Sequence, residues 1–476
     1  MGVRPLLAGL AIAAVAAMKG CSGAPATADL GAIYNTPAQA IGDARNPVIV
    51  IPGILGSKLV DADGTKVWGS FTFGAADADK PDGARRVALP MALGEPLDSI
   101  RDEVRQDGVL DVVVADIGLF RGIRLSAYLE IMETLGAGRY RDDELGEAGV
   151  IDYGGLHSTC FQHGYDWRRD ISEAAAELGR LIRDAQSAAR IGRDLPPEAP
   201  VKVDVVAHSM GGLILRYYLR YGAQPLPADG SLPELTWSGA ADIEQAILVG
   251  TPNAGSILSL RQLVDGWDLN PLFPNYRPAV LGTMPAIYQL LPRTRHARVI
   301  DAQTGEPVDL FDIATWERYG WGLADPDQDE YLEWLLPNAA DPEARRAIAL
   351  DHLRKSLARA EQVQRALDMP ADRPAGLRLS LFAADSEDTP DVFAVEPDGT
   401  VRELASSPGD GTVTRSSALM DERAGRIWSP GLDSPVAWDR VQFLSADHIG
   451  LTRENAFADN LLWLLLEEPR SWRQPE

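Results

Sequence analysis

The segment Val203-Asp-Val-Val-Ala-His-Ser-Met-Gly-Gly-Leu213 leaves this chain few folds to choose from. An apolar, β-branched run leads into Ser209, and a helical pattern over 211–221 leads away from it. A side chain held on so sharp a strand-to-helix turn needs small residues two positions to either side. Ala207 and Gly211 supply them, and Gly212 adds a second close approach. This arrangement is a nucleophile elbow. It lifts a serine hydroxyl above the end of a parallel sheet and aims a helix N-terminus at charge developing there.

The rest of the chain keeps the same rhythm. Apolar runs at 47–51, 156–165, 201–207, 243–249, 377–383 and 441–444 read as strands. Helical spacing over 126–135, 170–190 and 453–466 separates some of them, with Asp170 placed as an N-cap. Strands alternating with helices imply a parallel sheet covered on both faces. The expected fold class is α/β: an α/β-hydrolase core with a mostly parallel central sheet and helices on both faces. Residues 256–372 break the pattern with helical pieces, prolines and tryptophans, and read as a largely helical cap or lid insertion in a catalytic domain spanning 47–472.

A serine hydroxyl is a weak nucleophile at neutral pH. It needs a base, and the base needs an orienting carboxylate. On this fold the chain order is serine, acid, histidine. His448 follows the last expected strand, in Asp447-His-Ile-Gly450, and the other five histidines are in the insertion, before the serine or beside it. His208, beside the serine, is expected to face away from the site. Asp410 is the acid, in the glycine-flanked Gly409-Asp-Gly-Thr-Val413, with Asp385 as a rival. Two backbone N–H donors must hold the oxyanion. Met210, after the nucleophile, and Ile54, in the Pro52-Gly-Ile-Leu-Gly56 turn after the first strand, are the candidates. Tyr165-Asp-Trp-Arg168 reads as a brace beneath the site.

These motifs occur together and in order. Ile51-Pro-Gly-Ile-Leu-Gly-Ser-Lys-Leu59, Tyr165-Asp-Trp-Arg168, the Ser209 elbow, Gly250-Thr-Pro252, Gly409-Asp-Gly-Thr-Val413 and Asp447-His448 resemble the lecithin:cholesterol acyltransferase family. That family includes lysosomal phospholipase A2-like enzymes and bacterial lipases and esterases. The resemblance implies an α/β-hydrolase that acts on acyl esters of lipids, with Ser209, Asp410 and His448 at its triad positions and Ile54 and Met210 at its oxyanion positions. Hydrolysis is the expected outcome. Transfer of the acyl chain to an alcohol or sterol is an alternative, and a non-catalytic binding protein or an amidase on the same fold are others.

Charge narrows the partners. With 45 Lys+Arg against 69 Asp+Glu, the net charge is -24, which would repel nucleic acid and basic-patch docking on anionic lipid. The expected partner is a lipid or other acyl ester, with peripheral membrane contact through the lid or an anchor. No metal or cofactor motif is present, and the sequence says nothing of oligomeric state. Residues 1–21 carry Arg4, an apolar run from Leu6 to Met18, and Cys21, and read as a lipoprotein-like signal peptide; a plain secretory signal is the alternative. The chain is then exported, to a bacterial periplasm or outer membrane as a lipoprotein at Cys21, or secreted. Residues 22–46 read as a linker. The only other cysteine is Cys160.

Overall fold

The computed structural model describes residues 28–40, 45–71, 74–110, 112–117, 120–126, 128–152, 158–267 and 274–470, with backbone only at 71, 112–117 and 120–126. The signal-peptide reading of 1–21, Cys21 included, lies outside the described residues.

Six parallel strands form the central sheet. In chain order the main strands are β1 (Val48–Ile51), β2 (Cys160–Gln162), β3 (Val203–His208), β4 (Ile243–Val249), β5 (Arg378–Ala384), β6 (Glu387–Val395), β7 (Val401–Gly409) and β8 (Arg440–Leu444). The spatial order is β8-β5-β4-β3-β1-β2, while β6 and β7 pair as an antiparallel hairpin outside this sheet. The principal helices are α1 (Leu129–Ala137), α2 (Ile171–Gly192), α3 (Met210–Tyr221), α4 (Pro342–Asp368) and α5 (Asn455–Leu466).

Alternation along the strands divides two cores. Ile49, Ile51, Val205, Ala207, Ala246 and Leu248 face one side, where Ala175, Leu178 and Ile182 of α2 and Leu213 and Ile214 of α3 pack on them. Val48, Val50, Val206, Ile247 and Val249 face the other, against Ile131 and Leu135 of α1 and Phe457, Leu461 and Leu464 of α5. Burial on both faces is why β1, β3 and β4 read as continuous apolar runs. Asp170 caps α2, its carboxylate accepting from the Ser172 N–H at 2.7 Å.

Polar residues inside these strands are paired. Asp204 of β3 and Glu244 of β4 share Arg470, whose guanidinium lies 2.7 and 2.6 Å from them, and Asn46 donates to both. The pair of carboxylates holds the Arg470 charge firmly on, although burial works against it.

The stretch between β4 and β5 is built mainly of helices, ending in the 27-residue α4, and shares the first core. Trp316 and Trp321 are fully buried and pack edge to face, their indole N–H groups donating to the carbonyls of Leu310 and Gly399. These two rings are core, not lipid-facing. The linker expectation for 22–46 is corrected over 30–39. Two short helices, Leu30–Ile33 and Asn35–Gln39, form there, and buried Tyr34 donates to the Asp459 carboxylate on α5 at 2.7 Å. Arg45 and Arg139 also hold this stretch, donating to the Ala38 carbonyl and the Asn35 side chain. The strand expected over 156–165 is only Cys160–Gln162, with 153–157 outside the described residues.

Candidate active site

Register sets the site. Ile51 of β1 lies beside Ala207 of β3, and Val249 of β4 lies beside His208. The loops that follow these strands therefore rise from one end of the sheet, the carboxyl end at which α/β folds gather their ligands. Ser209 turns there with φ 53° and ψ -127°, outside the regions a side chain ordinarily favours. Its N–H donates to the Val249 carbonyl at 2.8 Å. A Cβ on Gly211 would come within 2.5 Å of the Pro52 carbonyl oxygen, and one on Gly212 within 2.0 Å of Thr251 Oγ1. Both glycines are thus required by contact between α3 and the neighbouring strand ends.

Ser209 Oγ lies 2.9 Å from His448 Nε2, and His448 Nδ1 lies 2.7 Å from Asp410 Oδ2. The other Asp410 oxygen accepts the N–H groups of Thr412 at 2.9 Å and Val413 at 2.6 Å. Burial alone would raise the pKa of this carboxyl. The imidazole of His448 and the two N–H donors outweigh it and hold the group below the usual aspartate value. An ionised Asp410 accepts only, so Nδ1 carries a proton and Nε2 is free to take one from Ser209. Asp385, the rival acid, faces Arg415 at 3.5 Å instead. Asp447 accepts from Gly450 N–H at 2.6 Å and shapes the histidine loop.

The Pro52–Gly56 turn passes directly over the serine. A Cβ on Gly53 would sit 2.7 Å from Ser209 Cβ. Hydrogen bonds pin the turn: Tyr165 Oη to the Pro52 carbonyl at 2.9 Å, Gly53 N–H to Tyr128 Oη at 2.7 Å, Gly56 N–H to the Gly53 carbonyl at 3.1 Å, Trp68 Nε1 to the Leu55 carbonyl at 2.7 Å, and Leu110 N–H to the Gly56 carbonyl at 2.8 Å. Leu55 is held at φ 65°. Among the described residues, neither the Ile54 nor the Met210 N–H has a hydrogen-bond partner. Below the turn, Trp167 Nε1 donates to the Ser57 carbonyl at 3.2 Å, and fully buried Arg168 bridges Asp166 and Asp102. The 165–168 stretch is a brace, as its residue types suggest.

Two neighbours escaped the sequence reading. His208 makes two hydrogen bonds, to Tyr128 Oη at 3.0 Å and to the His448 carbonyl at 3.0 Å, a role the sequence did not suggest. A histidine beside the nucleophile was a visible signal for the first partner. Nothing in the pattern around Tyr128 marked the second.

Residues 154–316 match the family model described as lecithin:cholesterol acyltransferase, so the resemblance holds over about a third of the chain. No curated protein matches the sequence. Among solved structures, a chain of "The crystal structure of Tle4-Tli4 complex" superposes with a TM-score of 0.53 at 16% identity, covering 88% of this chain and 98% of that one. "Structure of EstA from Clostridium botulinum" gives 0.34 at 14% identity, over 90% and 89% of the two chains. At these identities the likeness of the first concerns the fold alone, and the second carries no argument.

Proposed function

From a chain that resembles the lecithin:cholesterol acyltransferase family, we propose a serine hydrolase that cleaves acyl esters of lipids through an acyl-enzyme. The family match supports an enzyme acting on lipid esters. The observation that carries the finer reading is the unbroken hydrogen-bonded line from Ser209 through His448 to Asp410.

In this mechanism Ser209 Oγ attacks the ester carbonyl carbon while its proton passes to His448 Nε2. The negative charge on the former carbonyl oxygen is taken up by the N–H groups of Ile54 and Met210. The carbon–oxygen bond to the alcohol then breaks, and His448 returns the proton to that leaving oxygen. Asp410 holds the imidazole in the right tautomer and stabilises its charge throughout. Water, activated by the same histidine, releases the fatty acid and restores the serine. An alcohol in place of water would make the reaction an acyl transfer. Hydrolysis is preferred because no acceptor site is identified.

A fluorophosphonate probe should label the wild type and leave Ser209→Ala unlabelled, with ester turnover reduced roughly 10⁴- to 10⁶-fold. A folded wild type that takes no label and turns over no ester would be a binding protein, and the reading would be wrong. Product mass spectrometry from a phospholipid mixture, with and without a long-chain alcohol, separates the two outcomes: free fatty acid in both samples supports hydrolysis, and a new ester with the alcohol supports transfer. Export as a lipoprotein is part of the proposal. Cys21→Ala should move the protein from the membrane to the soluble fraction, and an unchanged distribution would count against the anchor.

A further inference from the structure

We infer that Tyr128 and His208 are positioning residues that lock the oxyanion turn and the histidine loop into one rigid unit around Ser209. The inference rests on the ester-hydrolase reading and extends it to two side chains that, among the described residues, make no hydrogen bond to the Ser209 hydroxyl.

Proton positions in this cluster follow from which atoms can donate. The His448 carbonyl only accepts, so His208 Nε2, 3.0 Å away, carries a hydrogen and donates it. His208 is buried, and burial pushes its pKa down to about 3, so the ring is neutral and has a single N–H. Its Nδ1 must then accept, and the donor within 3.0 Å is the Tyr128 hydroxyl. With its hydrogen committed to His208, the Tyr128 oxygen accepts the Gly53 N–H at 2.7 Å. The chain runs from Gly53 through Tyr128 and His208 to His448, with every proton assigned.

Each end of this chain sits beside the chemistry. Gly53 is packed against Ser209 so tightly that an added Cβ would come within 2.7 Å of its Cβ. The Tyr128 hydroxyl fixes the Pro52–Gly53 peptide plane, and the Gly53 carbonyl, accepting the Gly56 N–H at 3.1 Å, orients the plane that follows and with it the Ile54 N–H. At the other end, the His448 backbone is held by the ring adjacent to the nucleophile, and the His208 and His448 rings lie 4.9 Å apart. The turn, the elbow and the base therefore share one set of hydrogen bonds. Sub-ångström slack in such donors is costly, because an oxyanion is stabilised only by groups already in place.

The test uses the folded full chain and p-nitrophenyl butyrate, with active sites counted by fluorophosphonate titration. Tyr128→Phe keeps the ring and removes the hydroxyl. Its kcat per titrated site should fall roughly 10- to 100-fold, with KM changed by no more than about threefold. His208→Leu should fall similarly. His208→Gln should keep most of the activity, because its amide oxygen can accept from Tyr128 while its NH2 donates to the His448 carbonyl. The Tyr128→Phe/His208→Leu pair should be no worse than the poorer single variant, since both break one chain. A lower melting temperature with unchanged kcat per titrated site would overturn the inference, as would His208→Gln being as impaired as His208→Leu. A wild type that neither takes label nor cleaves the ester sinks the functional reading itself, and this inference falls with it.

Discussion

In the proposed reaction His448 must hold a proton on one ring nitrogen and accept one on the other, and Asp410 decides which is which. Replacing Asp410 by Asn puts an amide at the same place. The imidazole can then present its bare nitrogen to that amide and its N–H to Ser209, the wrong tautomer for a base. We expect Asp410→Asn to lower kcat by about 10⁴-fold with little change in KM. Asp385→Asn should stay within about threefold, because that carboxylate meets Arg415 and not the histidine, and a pair at that exposure contributes little. Steady-state kinetics on a soluble ester distinguishes the two. The serine and histidine were legible because the elbow is a strict steric pattern and the other histidines sat in the wrong part of the chain. The choice between the two aspartates was less so. Asp385 directly follows β5, where an acid is expected, while Asp410 is brought back beside Glu387, past the carboxyl end of β5, by a hairpin that must first be recognised.

At the scale of elements, that hairpin is the largest feature the sequence reading passed over. β6 and β7 span Glu387–Val395 and Val401–Gly409, and the turn between them closes with the Glu396 N–H on the Thr400 carbonyl and Gly399 at φ 87°. Asp398-Gly399 between two runs is a hairpin signal. It was obscured because β7 is largely exposed and polar, which leaves no apolar alternation on that strand. The central strands were legible for the opposite reason, since burial on both faces leaves them continuously apolar. The carboxylates within them were not explained by pattern at all. Asp204 and Glu244 depend on Arg470, from beyond the last helix. Arg470→Met would take the guanidinium away from two buried carboxylates. The expected cost is about 3–5 kcal/mol of stability. Urea denaturation should show it as a lower midpoint, while kcat of the folded fraction is unchanged, because the cluster lies at the opposite end of β3 and β4 from Ser209. A midpoint equal to wild type would mean that the carboxylates tolerate burial without Arg470.

For the molecule as a whole, four buried histidines set the acid side of stability. Burial lowers His163 to about 4, His208 to about 3 and His352 to about 4, and it also lowers His296. Unfolded, each would titrate near 6.5. As pH falls below that value the unfolded chain takes up protons that the native rings refuse, so stability is lost on acidification. Asp143 opposes this. Burial raises it to about 7, so near pH 6 its native form holds a proton that the unfolded form does not. Burial raises Asp102, Asp142, Asp170, Glu177 and Asp265 less far, so the four histidines stay in control between about pH 6.5 and 5.5. The melting temperature should drop across that interval, and a flat profile would mean that the rings are more solvated than their packing implies.

The same molecular scale governs how the protein reaches a lipid. A net charge of -24 repels anionic bilayers, and only a local basic surface could reverse that. The one dense basic run, 293–298, does not provide it. Arg293 pairs with Asp368, Arg295 with Asp368 and Glu422, and Arg298 with Asp391. Its charges are spent within the fold, tying the insertion to the segments around the hairpin. Under the proposed function, approach to a membrane would rely on apolar contact or on the proposed lipid at Cys21, both indifferent to headgroup charge, against a repulsion that is not. Binding of the protein lacking residues 1–21 should be weaker on vesicles rich in phosphatidylserine than on phosphatidylcholine alone. The gap should be widest near 10 mM salt, where the screening length is about 30 Å, and should narrow near 0.15 M, where it is about 8 Å. Vesicle cosedimentation at the two salt concentrations measures this directly. Tighter binding to the anionic vesicles at low salt would mean that a cationic surface outside the described residues outweighs the net charge.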